Sequence, residues 1–120
     1  MKQNKYFNKK IKGSDSNIEI KRMNELLLLE KAGAIKDISK QPCFILQKGF
    51  KYKNDKRAEI SIKYTADFKY FSNEKQRWII EELKSSYTKK LADYSIRRRL
   101  FKYYIKDIED VEFIEIVYDR

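Results

Sequence analysis

The stretch from Ile60 to Lys84 constrains this chain more than any other. It holds two runs rich in aromatic and β-branched residues, Ile60 to Phe71 and Arg77 to Lys84, separated by Ser72-Asn73-Glu74-Lys75-Gln76. Turn residues between two such runs specify an antiparallel hairpin. With the turn at that point Ser72 faces Arg77, and Asp67 faces Glu82. Facing residues of an antiparallel pair carry Cβ atoms ~5 Å apart on one face, and like charges there destabilise the pair. Two carboxylates so close need a cation between them. Oxygen ligands suit Mg²⁺ or Mn²⁺. Lys84, two residues beyond Glu82, projects from the same face, whereas Glu81 projects from the opposite one. Asp67, Glu82 and Lys84 therefore read as a divalent-metal site with an ammonium group beside it.

Composition narrows the chemistry. The chain has 120 residues, enough for one domain with one core. It is 42% apolar with nine Tyr and seven Phe, so a folded core is expected rather than disorder. Lys and Arg number 28 against 18 Asp and Glu, a net +10, which points to a polyanionic partner and first of all to nucleic acid. With no His and only Cys43, Ser-His-Asp and Cys-His triads and His- or Cys-ligated zinc sites are excluded. Gly13, Gly33 and Gly49 form no phosphate-binding loop. A lone cysteine fits a reducing compartment. No apolar run is long enough to span a membrane, and Met1-Lys2-Gln3-Asn4-Lys5 has no apolar signal core, so the expected location is the cytoplasm with no membrane partner.

Residues 1–13 read as a basic arm and 14–120 as a single domain. A helix is predicted over roughly 16–32, opened by the capping-box pattern Ser16-Asn17-Ile18-Glu19 and stopped by Gly33. Its expected apolar stripe is Ile20, Met23, Leu26, Leu27 and Leu28. A strand opened by Pro42 runs toward Phe50, and the two hairpin strands follow. A helix over 88–105, capped by Ser86 or Thr88, carries Ala92, Ile96, Leu100 and Tyr103 or Tyr104 on one side. Val111 to Tyr118 alternates as a final strand. Lys89, Lys90, Arg97, Arg98, Arg99 and Lys102 lie off the second helix's stripe and form an expected nucleic-acid surface, with Lys9, Lys10 and Lys12 as a second contact. Tyr64, Phe68, Tyr70, Phe101, Tyr103 and Tyr104 are assigned to the core rather than to base stacking. Glu19 extends the core-facing side of the first helix by one turn. It either completes the capping box or serves as a further carboxylate at the metal, and the pattern leaves both open.

Several stretches together resemble a known group. They are Asp15-Ser16-x-x-Glu19, Leu28-Leu29-Glu30-Lys31-Ala32-Gly33-x-Ile35, Gln41-Pro42-x-Phe44-x-Leu46, Tyr64-x-Ala66-Asp67-Phe68-x-Tyr70, Glu81-Glu82-x-Lys84 and Thr88 to Phe101. In order and spacing they resemble small phage Holliday-junction-resolvase-like endonucleases of the PD-(D/E)XK nuclease superfamily, over residues 15 to 117. Glu82 stands where that pattern usually has Asp, and Ser85 where it usually has Gly. The resemblance implies an α/β (α+β) fold with a restriction-endonuclease-like αβββαβ core, a mixed central sheet flanked by helices. It implies Mg²⁺- or Mn²⁺-dependent hydrolysis of phosphodiester bonds in branched DNA by a homodimer. Asp67, Glu82 and the Leu83 carbonyl would hold the metal, Glu19 would be an accessory ligand, and Lys84 would be catalytic. The alternative is a non-catalytic nucleic-acid-binding module that retains the nuclease fold.

Overall fold

The computed structural model describes residues 15–119. The basic arm with Lys9, Lys10 and Lys12, and the Ser16 side chain of the capping box, lie outside the described residues. The chain runs α1 (Asp15–Lys31), β1 (Ile35–Lys40), β2 (Cys43–Gln47), β3 (Ile62–Thr65), β4 (Phe68–Ser72), β5 (Arg77–Ser85), α2 (Ser86–Lys89), α3 (Ala92–Ile105) and β6 (Val111–Tyr118). Four strands form a mixed sheet in the order β1-β4-β5-β6, and β2 with β3 forms a separate two-stranded sheet. β1, β4 and β5 are antiparallel neighbours, whereas β5 and β6 are parallel. A parallel pair needs a crossover, which α2 and α3 supply. One face of the main sheet packs Phe68, Tyr70, Ile79 and Leu83 against Leu26 of α1. The other packs Ile80 against Phe101 and Ile105 of α3, together with Tyr64 and Ala66. No helix among the described residues is long and apolar enough to cross a membrane.

The hairpin has the expected register, from Ser72↔Arg77 through Phe68↔Glu81. The expected single strand from Ile60 to Phe71 is nevertheless two strands in two sheets. Its break falls at Ala66-Asp67, where consecutive amides bond in different directions: Ala66 N–H donates to the Pro42 carbonyl, and Asp67 N–H to that of Glu81. The chain thus passes from the β2–β3 pair to the main sheet between these two residues. β1 was not anticipated. It is a polar edge strand with an irregularity between Lys36 and Ser39, and Asp37 has φ 57°, so no clean alternation marks it. The strand expected after Pro42 is β2, which pairs with β3 outside the main sheet.

The helices differ from expectation in how they are turned. α1 stops where Gly33 adopts φ +85°, a left-handed conformation that glycine accepts without Cβ strain. Leu26 is fully buried and Ile18 and Met23 pack with it, but Ile20, Leu27 and Leu28 are exposed. α1 meets only one sheet face, so a narrower stripe suffices. The helix expected over 88–105 is two helices, and the cap is Ser85, whose Oγ accepts from Thr88 N–H at 3.0 Å. On α3 the buried residues are Tyr94, Phe101 and Ile105, while Ala92, Ile96, Leu100, Tyr103 and Tyr104 are exposed. The expected stripe lies on nearly the opposite side of the helix. Aromatic packing sets the phase: Phe101 stacks on Tyr64 at 4.6 Å and contacts Phe44 at 4.9 Å and Phe113 at 5.6 Å. The two-stranded sheet covers α3 and draws that face inward.

Candidate functional site

β5 carries two adjacent carboxylates, Glu81 and Glu82, with only 1% and 3% of their surface exposed. Alternation along a strand sends them to opposite faces, and their surroundings differ. Arg22 of α1 grips Glu81 with both ends of its guanidinium, Nε–Oε1 2.9 Å and Nη2–Oε2 2.5 Å, and the Tyr70 hydroxyl donates to the same carboxylate. That hydrogen bond to Glu81 holds the Arg22 pKa above its usual range. Glu81 is therefore compensated.

Glu82 is not. Tyr64 donates its hydroxyl to Oε1 at 2.5 Å, and Lys84 Nζ lies 3.3 Å from Oε2. Burial still dominates and, with the Asp67 charge adding to it, pushes the Glu82 carboxyl up to about 7 against the lowering effect of Tyr64 and Lys84. Asp67 immediately precedes Phe68, the first residue of β4, and its Oδ2 accepts the Leu83 N–H at 2.6 Å. Burial raises its pKa too, against the opposing effects of Leu83 N–H, Lys84 and hydrogen-bond contacts with the Glu82 and Glu19 carboxyls. Two carboxyl groups in hydrogen-bond contact must share a proton or a cation. The fold thus sets Lys84 against Glu82 and places Glu19, Asp67 and Lys84 around one hollow.

The opposite side of Glu82 holds residues that the sequence reading missed. Glu115 of β6 pairs directly with Glu82 in the parallel ladder. It accepts from the Tyr94 hydroxyl and lies 3.4 Å from Arg98 and 3.6 Å from Lys89. Burial raises the Glu115 pKa, but Tyr94 and the two cations outweigh it, and the net shift is downward. Two neighbouring carboxyls are thereby pushed apart in acidity. Lys84 Nζ sits over the Tyr94 ring at 5.0 Å, so Tyr94 and Glu82 fix the ammonium together. Only the inward alternation of Glu115 with Val111 and Phe113 could have marked it. Nothing in the sequence marks Tyr64 or Tyr94.

Two hollows open on this cluster. One of about 70 Å³ is lined by Glu19, Asp67, Leu83 and Lys84, and a wider cleft of about 460 Å³ by Tyr64, Glu82, Lys84, Tyr94, Lys63 and Arg97. The donors are hard oxygens beside a backbone carbonyl: Leu83 C=O projects from the same edge of β5 as the N–H that Asp67 accepts. Among the described residues no three Asp, Glu, His or Cys side chains enclose an ion by themselves. Asp67, Glu82 and Leu83 C=O fit Mg²⁺ or Mn²⁺, which keep water and substrate among their ligands.

The expected nucleic-acid residues divide. Lys90, Arg99 and Lys102 are exposed. Arg98 is turned inward onto Glu115 and Tyr94 because α3 is rotated from its expected phase, and Lys89, at the end of α2, also pairs with Glu115. Arg97 pairs with Asp93 and donates to the Lys63 carbonyl at 2.8 Å.

Residues 3–117 match a family described as Protein of unknown function (DUF1064). The chain belongs to that family. No curated protein and no solved structure matches it.

Glu82 makes the metal-free protein sensitive to pH. Its folded pKa of about 7 lies above its ordinary value of 4.5, so between those limits the folded state holds the extra proton. Stability then falls as pH rises through that window, by about 3 kcal/mol from this group. Urea denaturation in EDTA from pH 4.5 to 8 should show that loss. Mg²⁺ or Mn²⁺ should restore stability at pH 8 and do little at pH 5. A metal effect independent of pH would contradict this account of Glu82.

Proposed function

We propose that this chain is a metal-dependent DNA endonuclease that hydrolyses phosphodiester bonds, with branched DNA such as a Holliday junction as substrate. The placement of buried Glu82, 3.3 Å from Lys84 Nζ, with Asp67 held on the neighbouring Leu83 N–H, carries this reading. Nearby Glu81 is held by an arginine, and Glu115 by a tyrosine and two cations, so each is satisfied in place. Glu82, with Tyr64 and Lys84, and Asp67, with the Leu83 N–H, are still held above their ordinary pKa values and are the pair that a divalent cation would complete. When bound, the metal would supply positive charge against the phosphate and lower the pKa of the attacking water. Lys84, steadied by Glu82 and Tyr94, would place its ammonium group against the charge that builds on phosphorus. Tyr64 would hold Glu82 in position through its hydroxyl. Glu19, in contact with Asp67, would be the accessory carboxylate.

The topology supports the finer fold assignment. With the β2–β3 hairpin set aside as an insertion, the order is α1, β1, β4, β5, the α2–α3 crossover and β6. That is the αβββαβ order of a PD-(D/E)XK core, with the Asp on the middle strands' open end and the Glu-x-Lys on β5. A homodimer, cutting two strands, is part of the same proposal.

Incubation of the purified protein with a labelled four-way junction and Mg²⁺ is the direct test. Cleavage that EDTA stops is the expected result. Tight, salt-sensitive binding without cleavage would overturn the enzyme reading in favour of a binding module that keeps the fold.

A further inference from the structure

The β2–β3 hairpin is the one large feature that the proposed chemistry does not use. Its base is anchored: Phe44 and Tyr64 pack on Phe101, and Tyr64 reaches Glu82. Beyond Gln47 and before Ile62 the chain continues as a ribbon, joined by reciprocal Phe50 and Glu59 backbone hydrogen bonds and turned at Tyr52–Asp55. Gly49 lets the ribbon close, since a Cβ there would lie 2.9 Å from the Glu59 carbonyl oxygen. Every residue from Lys48 to Ile60 is exposed. Lys48, Lys51, Lys53, Lys56 and Arg57 face only Asp55 and Glu59 in that stretch. Among the described residues none of these five cations makes an ion pair. Arg97, Arg98 and Lys89, by contrast, are all paired.

We infer that this ribbon is a duplex-DNA grip that enters the major groove beside the phosphate to be cut, an inference that rests on the proposed nuclease reading for its substrate. The B-form major groove is about 12 Å wide and admits a two-stranded β-ribbon. The five cations, none in an ion pair although Lys53 Nζ lies over the Tyr52 ring at 5.0 Å, meet the flanking phosphates, and exposed Phe50 supplies apolar contact of the kind that thymine methyl groups accept. The ribbon and the site are one covalent unit: Tyr64 comes seven residue steps after Arg57. Fully extended they span about 25 Å, or roughly seven base pairs at 3.4 Å each. The grip therefore falls within one helical turn of the cut. An A-form RNA duplex has a major groove too narrow for side chains to read, so the ribbon selects DNA.

The test uses the full chain, a 20-base-pair DNA duplex, the same sequence as RNA, and EDTA to prevent cutting. Fluorescence anisotropy is measured across a salt series for the wild type and for Lys51→Ala/Lys53→Ala/Lys56→Ala/Arg57→Ala. The expected result is DNA preferred over RNA, with a tenfold or greater loss for the variant. Its log–log salt slope should fall by about two or more, near 0.9 per phosphate contact removed. A charge reversal, Lys51→Glu/Lys56→Glu, should weaken binding further. These residues are exposed, so circular dichroism should be unchanged. An unchanged affinity and slope in both variants would overturn the grip, as would equal binding of RNA. Junction cleavage with Mg²⁺, measured in parallel, separates the two readings. Cutting with no effect of the ribbon variants sinks the grip alone, whereas ribbon-dependent binding without cutting supports the grip and sinks the nuclease.

Discussion

Asp67→Asn should abolish cleavage, by ~10³-fold or more in kcat, while leaving DNA binding intact or tighter. The asparagine oxygen can still accept the Leu83 N–H, and its amide can donate to Glu82, where two carboxyls now contend. Removing one negative charge from a cleft that would receive phosphate favours binding. The same change relieves repulsion, so stability without metal should rise, and the pH-dependent loss should shrink because the Asp67 charge no longer raises Glu82. Single-turnover cleavage, anisotropy and urea titration on one preparation check all three. Normal cutting by this variant would remove Asp67 from the site.

The second large effect concerns the other face of β5. Arg22→Met leaves Glu81 with 1% of its side chain exposed and only Tyr70 to satisfy it. Loss of one partner from such a pair costs ~3–5 kcal/mol. Glu81→Leu should cost less, because Arg22 keeps Glu25 at 2.9 Å and is 23% exposed, so its head can turn to water. The double variant Arg22→Met/Glu81→Leu should recover most of the loss, since apolar groups of similar volume can replace a buried ion pair. Arg22 lies one turn beyond Glu19 on α1, so the variants also test whether the pair holds Glu19 against Asp67. Urea midpoints for the three proteins give the coupling. Additive losses would mean that the pair is not a unit.

What the sequence disclosed follows from the range of the forces involved. The hairpin register was legible because a local turn and period-two alternation fix it; Asp67 lies just outside that ladder, where its side chain takes the Leu83 N–H. The last strand, Val111 to Tyr118, was legible for the same reason. The phase of α3 was not. Ile96, Leu100, Tyr103 and Tyr104 offer one stripe, and Tyr94, Phe101 and Ile105 another. The choice belongs to Phe44, Tyr64 and Phe113, which lie on three different strands. That error also placed Arg98 on the outside. Arg22 and Glu81 are 59 residues apart, and no local pattern couples them. β1 escaped notice because a polar edge strand with a backbone irregularity carries little periodic signal.

The late start of β4 at Phe68 has a further consequence. From Glu82 to Ser85, β5 keeps β6 on one side, but among the described residues no strand extends β4 on the other. Open backbone of this kind invites a foreign segment to add on, the first step toward self-association. Here the Asp67 side chain occupies the Leu83 amide as a missing neighbour would. The carboxylate proposed to hold the metal thus also closes a sheet edge, and Asp67→Ala should leave a protein that clumps on concentration where Asp67→Asn does not.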